Sequence, residues 1–146
     1  MNNVIEIKTV INASVSQVWR TLTDPGLIQQ WMAEPEMDAE IMTTWEVGSP
    51  IVIRGFHHVK FENKGRVLRF DPERVLNYNF LSSLSRLPDR DENYCILEFT
   101  LDTFNDQTLL TLVVRNFPTE AILRHVDFYW KGTMNSIKDF AEDLPV

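Results

Sequence analysis

The side chains of this sequence that could do chemistry are few and scattered. His57 and His58 are adjacent, Cys95 is the single cysteine, and Arg54 stands among apolar residues. Adjacent residues of a strand point to opposite faces, so the two histidines cannot bind one metal ion together. A metal site needs three or four convergent ligands, and His125 stands alone near the C-terminus. We therefore predict neither a metal nor a cofactor.

The sequence also gives little support to covalent or acid–base catalysis. A reactive thiol needs an accessible, electropositive setting and a base, whereas Cys95 lies in a stretch that alternates like a covered strand. The acids of residues 89–92 belong to a charged, proline-containing segment, which indicates a solvated loop. We predict no catalytic residue. Whether the protein is an enzyme stays open, and Arg54, His58 and Tyr78 are the candidates if it is one.

Arg54 has two interpretations, which depend on the face of its strand. Strand alternation groups it with Val52, Phe56 and His58. On a concave face, its guanidinium would lie in an apolar cleft and could bind a ligand carboxylate with two hydrogen bonds. On a convex face it would be solvated, and the rarity of buried charge favours this second interpretation. Gly55 leaves the register open, because glycine in a strand often marks a bulge.

Composition and charge exclude several classes of protein. The 146 residues suffice for one domain with one core, so we expect a single domain over residues 1–146. The formal net charge of −7 disfavours binding to nucleic acid, which needs a basic face. No apolar run reaches the length of a membrane span, and the N-terminus does not resemble a signal peptide. A single cysteine suits a reducing compartment, so we expect a cytoplasmic protein.

The first third of the chain predicts a strand followed by two short helices. Residues 4–11 are rich in β-branched residues and alternate between apolar and polar. Helical spacing follows, and Ser14 with Gln17 has the spacing of a capping box. Asp24 and Pro25 mark the N-cap and the first position of the second helix. Trp31 ends the apolar side of that helix.

The rest of the chain predicts an antiparallel meander and one long helix. In the stretch that includes Tyr78 and Phe80, apolar residues alternate with asparagines, which indicates strands with one covered face. From Pro118 to Leu144 the apolar residues step by three or four. Helices at both ends, with about six or seven strands between them, predict an α+β fold in which the long helix covers the sheet.

Four segments, in this order, resemble the START-like (SRPBCC) superfamily, in the branch named for the activator of the heat-shock protein 90 ATPase. The first carries Val18-Trp19, Thr23-Asp24-Pro25 and Trp31, the second Gly65, Pro72, Leu76 and Phe80, the third residues 107–118, and the fourth Trp130, Met134 and Ile137. The chain departs from the family pattern at Val114, where histidine is frequent, and at Asn116, where glycine is frequent.

The resemblance implies a helix-grip fold, in which a curved antiparallel sheet wraps around a long C-terminal helix and leaves a cavity between them. We accordingly predict that the protein binds an apolar or amphipathic, lipid-like small molecule, as a monomer or a homodimer. The residues predicted to line the cavity are Trp31, Arg54, Phe56, His58, Tyr78, Phe80, Trp130 and Met134. Two alternatives stay open: a co-chaperone-like interaction with a chaperone or another protein, and an enzyme of the cyclase or hydrolase type.

Overall fold

The computed structural model describes residues 3–32, 37–57 and 59–145, with His57 described by its backbone alone. The strands are β1 (Ile5–Ile11), β2 (Glu40–Thr43), β3 (Pro50–His57), β4 (Val59–Asp71), β5 (Val75–Ser82), β6 (Cys95–Phe104) and β7 (Gln107–Arg115). The helices are α1 (Val15–Thr23), α2 (Pro25–Met32) and α3 (Glu120–Asp143).

The strands form one antiparallel sheet in the order β1-β7-β6-β5-β4-β3-β2. Strands that follow one another along the chain are neighbours, except that β1 pairs with the last strand, where Ile5 lies opposite Val114. The predicted α+β helix-grip fold is confirmed, with its curved sheet, its long C-terminal helix and its two short helices after the first strand. The seven strands agree with the predicted six or seven.

The two short helices begin where the sequence predicts. The Ser14 hydroxyl accepts a hydrogen bond from the Gln17 amide at 3.1 Å, and the Gln17 side chain accepts one from the Ser14 amide at 3.3 Å. Asp24 caps α2 by accepting from the amide of Gly26 at 2.9 Å. The indole of Trp31 then donates to the carbonyl oxygen of Thr21 at 2.8 Å, which fixes α2 against α1.

The strand registers separate the sheet into an inner face and an outer face. The inner face is the one that carries the buried residues of the central strands, such as Leu76, Leu97 and Leu112. In the described residues, no inner-face strand position holds Asp, Glu, Lys or Arg. Charged strand residues therefore lie on the outer face, and the inner face presents an apolar, uncharged surface to the helices.

Gly65 allows a close approach between β4 and β5. A Cβ atom at this position would lie 1.8 Å from the carbonyl oxygen of Asn79. Beside it, the Arg66 amide donates to the Asn79 side chain at 2.8 Å, in place of a regular ladder bond. The register also shifts between Val67 and Arg69. Because bulges bend and twist a strand, this irregular segment is where the sheet acquires its curvature.

The long helix α3 lies against the inner face through a stripe of buried residues. The stripe contains Val126, Trp130, Thr133, Met134, Ile137 and Ala141. At the C-terminal end, the Glu142 carboxylate accepts from the Asn12 amide at 2.7 Å, and the Gln17 side chain donates to the Leu144 carbonyl at 3.3 Å. Nearer the N-terminus, the Tyr129 hydroxyl donates to the Met32 carbonyl at 3.1 Å. These contacts fasten α3 to β1, α1 and α2.

Candidate functional site

Aromatic side chains fill the middle of the space between the sheet and α3. The ring of Trp130 lies with its centroid 5.7 Å from Phe99 of the sheet and 6.4 Å from Trp31 of α2. Met134, one turn farther along α3, is only 1% exposed. Trp31, Trp130 and Met134 therefore lie on elements that face one another, as the sequence predicts, but they pack as core residues at this depth.

Tyr78 belongs to a second aromatic cluster on the inner face. Its ring centroid lies 6.4 Å from that of Trp45, which in turn stacks on Phe70 at 5.8 Å. The indole of Trp45 donates to the carbonyl oxygen of Thr23 at 2.7 Å. Burial raises the pKa of Tyr78 well above its ordinary value, so the hydroxyl stays protonated at neutral pH. Such a group is a structural aromatic and not a general base.

Arg54 and Phe56 lie on the outer face, contrary to the prediction that they line a cavity. The buried residues of β3 are Ile51 and Ile53, so alternation directs Arg54 the other way. The Arg54 guanidinium pairs with Glu62 of β4 at 2.8 Å, and both side chains are exposed. Phe56 is also exposed. The solvated interpretation of Arg54 is therefore correct, and a ligand on the inner face cannot pair with this charge.

His58, the remaining polar candidate, lies outside the described residues. Phe80 is on the inner face, since it lies opposite Cys95 in the register of β5 and β6, and it is half-buried against the core. It differs in this respect from Tyr78 and Leu76 of the same strand, which are buried. The inner face is thus less covered toward the end of β5 than at its middle.

We call this less covered region the open end of the inner face, and define it by Gly55, Phe61, Asn63 and Phe80. All four are half-buried, and they come from three adjacent strands. β7 also ends at this side of the sheet, so the chain enters the N-terminal half of α3 from here. The open end and the turn that leads into the long helix therefore lie at the same end of the sheet.

Asn63 contains the one unusual polar atom of the open end. Its residue lies opposite Ile53 in β3 and opposite Ser82 in β5. The side-chain oxygen Oδ1 is shielded from solvent and accepts no hydrogen bond from the residues that the structure describes. A shielded acceptor without a partner costs about 1–3 kcal/mol. We did not predict a role for Asn63 from the sequence. The feature that distinguishes it is a polar side chain at a strand position that alternation assigns to the apolar face.

Cys95 borders the open end from β6. It is buried opposite Phe80, and burial raises the pKa of its thiol to about 12. The thiolate is the reactive form of cysteine, so this residue is inert at neutral pH. The prediction that Cys95 is a buried, apolar cysteine is confirmed.

Two other openings lie away from the open end. A shallow groove of about 580 Å³ runs along the free edge of β1, where Asp127 and Lys131 of α3 pair at 2.8 Å. A smaller cleft of about 200 Å³ lies on the outer face under residues 83–93. There, the Lys64 ammonium and the Tyr94 hydroxyl lower the pKa of Asp89, to which both are hydrogen-bonded. These contacts pin the predicted loop onto β4.

The described parts of the chain contain no group of three or more His, Cys, Asp or Glu placed to hold a metal ion. Among the described helices, none is both long and apolar enough to cross a membrane. The chemistry that the open end offers is consequently apolar contact, with one amide oxygen shielded beneath it.

The comparison with family models agrees with this architecture. A family described as Activator of Hsp90 ATPase homolog 1-like protein matches residues 12–142. The chain belongs to this family. The START-like, helix-grip assignment made from the four sequence segments is thereby confirmed. No curated protein matches the chain at a significant level.

Solved structures from several bacteria share the fold along nearly the whole chain. The protein ChR145 from Cytophaga hutchinsonii is 30% identical, with a TM-score of 0.80 over 98% of this chain and 96% of that one. CV1439 from Chromobacterium violaceum is 20% identical, with a TM-score of 0.83 over 97% and 99%. The Aha1 dimer from Colwellia psychrerythraea is 21% identical, with a TM-score of 0.76 over 97% of each chain.

Proposed function

We propose that the protein binds a small apolar or amphipathic, lipid-like molecule at the open end of the inner face. The observation that supports this function is the partial exposure of an uncharged, mostly apolar surface that contains a shielded acceptor without a partner. Concave apolar surfaces with a few polar groups are the usual form of small-molecule sites. Phe80 and Phe61 would supply the apolar contact, and Asn63 the polar one.

This location differs from a cavity at the centre of the grip. Trp31, Phe99 and Trp130 occupy the centre at ring-centroid distances of 5.7–6.4 Å, which are ordinary packing distances for aromatic side chains. A ligand at the open end would instead lie on Phe80, which packs against the core from one side and is accessible from the other. The binding energy would come from apolar surface removed from water.

A titration with straight-chain alcohols from octanol to tetradecanol, followed by NMR amide shifts, tests this proposal. We expect saturable shifts at Phe61, Asn63 and Phe80, and tighter binding with longer chains. Replacing Phe80 with alanine should weaken binding by about tenfold, since a partly buried phenylalanine contributes on the order of 1.5 kcal/mol. Phe104→Ala, at an exposed position near the opposite end of the sheet, is the matched control.

The proposal would be overturned if no alcohol produced saturable shifts up to its solubility limit. It would also be overturned if Phe104→Ala weakened binding as much as Phe80→Ala. A thermal melt of each variant separates lost binding from lost folding.

Interaction with another protein is the second candidate function. Family membership and the dimer formed by the Colwellia relative favour it, as do the exposed Met42 and Phe56 on the outer face of β2 and β3. The same samples distinguish the two functions. A change in sedimentation with protein concentration or with added chaperone, without any saturable alcohol shift, would support protein interaction in place of ligand binding.

A further inference from the structure

Resting on the proposed function, we infer that Asn63 makes the open end selective for a neutral ligand that donates a hydrogen bond, such as a long-chain alcohol or primary amide, over a carboxylate. The inference rests on the unpartnered Oδ1 atom of Asn63 and on the absence of charge among the described inner-face positions. It names the chemical class of the ligand, which the fold alone does not determine.

The side-chain oxygen of Asn63 lacks a hydrogen-bond donor among the described residues, and a ligand could supply one. Carbonyl oxygens shielded from water are almost always hydrogen-bonded, and an unmet one carries a penalty. Ser82, the residue opposite in β5, makes no hydrogen bond to this oxygen in the described structure, and its hydroxyl accepts from the Leu84 amide at 3.2 Å. A ligand that displaces the groups shielding this atom could donate an O–H or N–H to it, and removal of the penalty would favour a donor beyond its apolar contact.

The lysine and arginine side chains described on β3 and β4 near the open end are directed away from it. Lys64 and Arg66 are neighbours of Asn63 and Val67 along β4, so strand alternation places them on the outer face. The Lys64 ammonium is paired with Asp89 at 2.7 Å, and Arg54 is paired with Glu62. A carboxylate bound at the inner face would lose its water without gaining a lysine or arginine partner among the described positions. Transfer of an unpaired anion into such a surface is strongly unfavourable.

Three ligands with alkyl chains of similar length separate the effect of hydrogen-bond donation from that of charge: dodecanol, dodecyl methyl ether and dodecanoate. The alcohol donates a hydrogen bond, the ether accepts but cannot donate, and dodecanoate is anionic at neutral pH. Dissociation constants from the NMR titration should be lowest for the alcohol, by about threefold to tenfold relative to the ether, as one hydrogen bond contributes. Dodecanoate should bind more weakly than either neutral ligand.

Asn63→Leu should remove the preference for the alcohol over the ether, because the acceptor is lost while the apolar contact is kept. The chain offers a matched control in Asn77, whose Oδ1 is also shielded and unpartnered but lies on the outer face, where its Nδ2 donates to Glu98 at 3.2 Å. Asn77→Leu should leave the preference for the alcohol unchanged.

The possible outcomes are distinct. Saturable binding of all three ligands with equal affinity, or tightest binding of dodecanoate, overturns the selectivity while leaving the proposed function intact. An alcohol preference that survives in Asn63→Leu also overturns it. Absence of saturable binding for all three ligands overturns the proposed function itself. If Asn63→Leu fails to fold, the comparison of ligands on the native protein still decides the inference.

Discussion

At the scale of single residues, burial decides what Cys95 can do. The thiol is shielded between strands, and its pKa rises from the ordinary value of 9.0 to about 12 because the thiolate would lose its hydration. A cysteine in this state behaves as a small apolar side chain. Cys95 lies opposite Phe80 of the open end, so the burial of its thiol depends on the folding of this part of the sheet.

The folded-state pKa of Cys95 is above the unfolded one, so the neutral thiol favours the native state. This contribution is complete below pH 9 and is lost as the pH rises toward 12. We expect the equilibrium constant for unfolding to rise by about tenfold per pH unit in this window, relative to Cys95→Ala. Urea denaturation of both proteins at several alkaline pH values measures the difference. An unchanging difference above pH 9 would contradict the assignment.

Some residue-level features could be predicted from the sequence because they depend on local spacing. The capping pair Ser14 and Gln17 is an example. For Asn116 the sequence showed only a departure from the glycine of the resembled family pattern, and the structure shows that the residue adopts the left-handed conformation at φ 65°. Asparagine tolerates that region, and its side chain also donates to the Tyr94 carbonyl at 2.7 Å.

The orientation of Arg54 and the role of Asn63 could not be read in the same way. Both depend on which face of a strand is covered, and a register change of one residue exchanges the faces. Gly55 left that register open from sequence, and only the pairing of β3 with β4 fixes it. The predicted and the observed site therefore differ most at the strand positions whose face of the sheet could only be assumed from alternation.

At the scale of elements, local signals predicted the helices and most strands well. The exception is residues 49–64, where β3 ends at His57 and β4 begins at Val59. Residues 56–60 contain no glycine, proline, asparagine or aspartate that would mark the end of β3, so residues 49–59 read as one strand. The partition of this segment is determined by pairing across the sheet, which local propensity does not contain.

The close approach of β5 to Gly65 predicts that any side chain at this position destabilises the sheet. A Cβ at this position would overlap the Asn79 carbonyl, so Gly65→Ala should lower the free energy of unfolding by about 2 kcal/mol or more, through forced backbone movement. Urea denaturation measures the change. Gly132 of α3 is the matched control, because a Cβ there meets nothing and Gly132→Ala should stabilise the helix by about 1 kcal/mol. Equal effects of the two substitutions would refute the assignment.

At the scale of the whole molecule, one core joins the sheet and all three helices. The buried cluster includes Trp19 of α1, Trp31 of α2, Phe99 of β6 and Met134 of α3. Because these elements share their apolar contacts, we propose that residues 1–146 fold as the single domain that chain length predicts. Charged residues contribute to the surface of this unit, and the described ion pairs of the strands lie on the outer face.

Met134→Ala tests whether the helix and the sheet unfold together. Met134 is 1% exposed, so its truncation should cost about 2–5 kcal/mol. We expect the midpoints from far-ultraviolet circular dichroism and from tryptophan fluorescence to fall by the same amount. Phe128→Ala, on the exposed side of the same helix, should change stability by less than about 0.5 kcal/mol. Separate midpoints for the two signals would instead indicate that α3 detaches on its own.

The uneven fastening of α3 has a mechanical consequence. Its 24 residues make a rod about 36 Å long, tied at one tip through Glu142 to Asn12 after β1 and through Leu144 to Gln17 of α1. That tip is a natural pivot, and a tilt of about five degrees about it moves the far tip by about 3 Å. Trp130 and the Tyr129–Met32 hydrogen bond lie about 20 Å from that tip, so the same tilt would move them by less than about 2 Å, and the largest displacement would fall at the start of the helix beyond them.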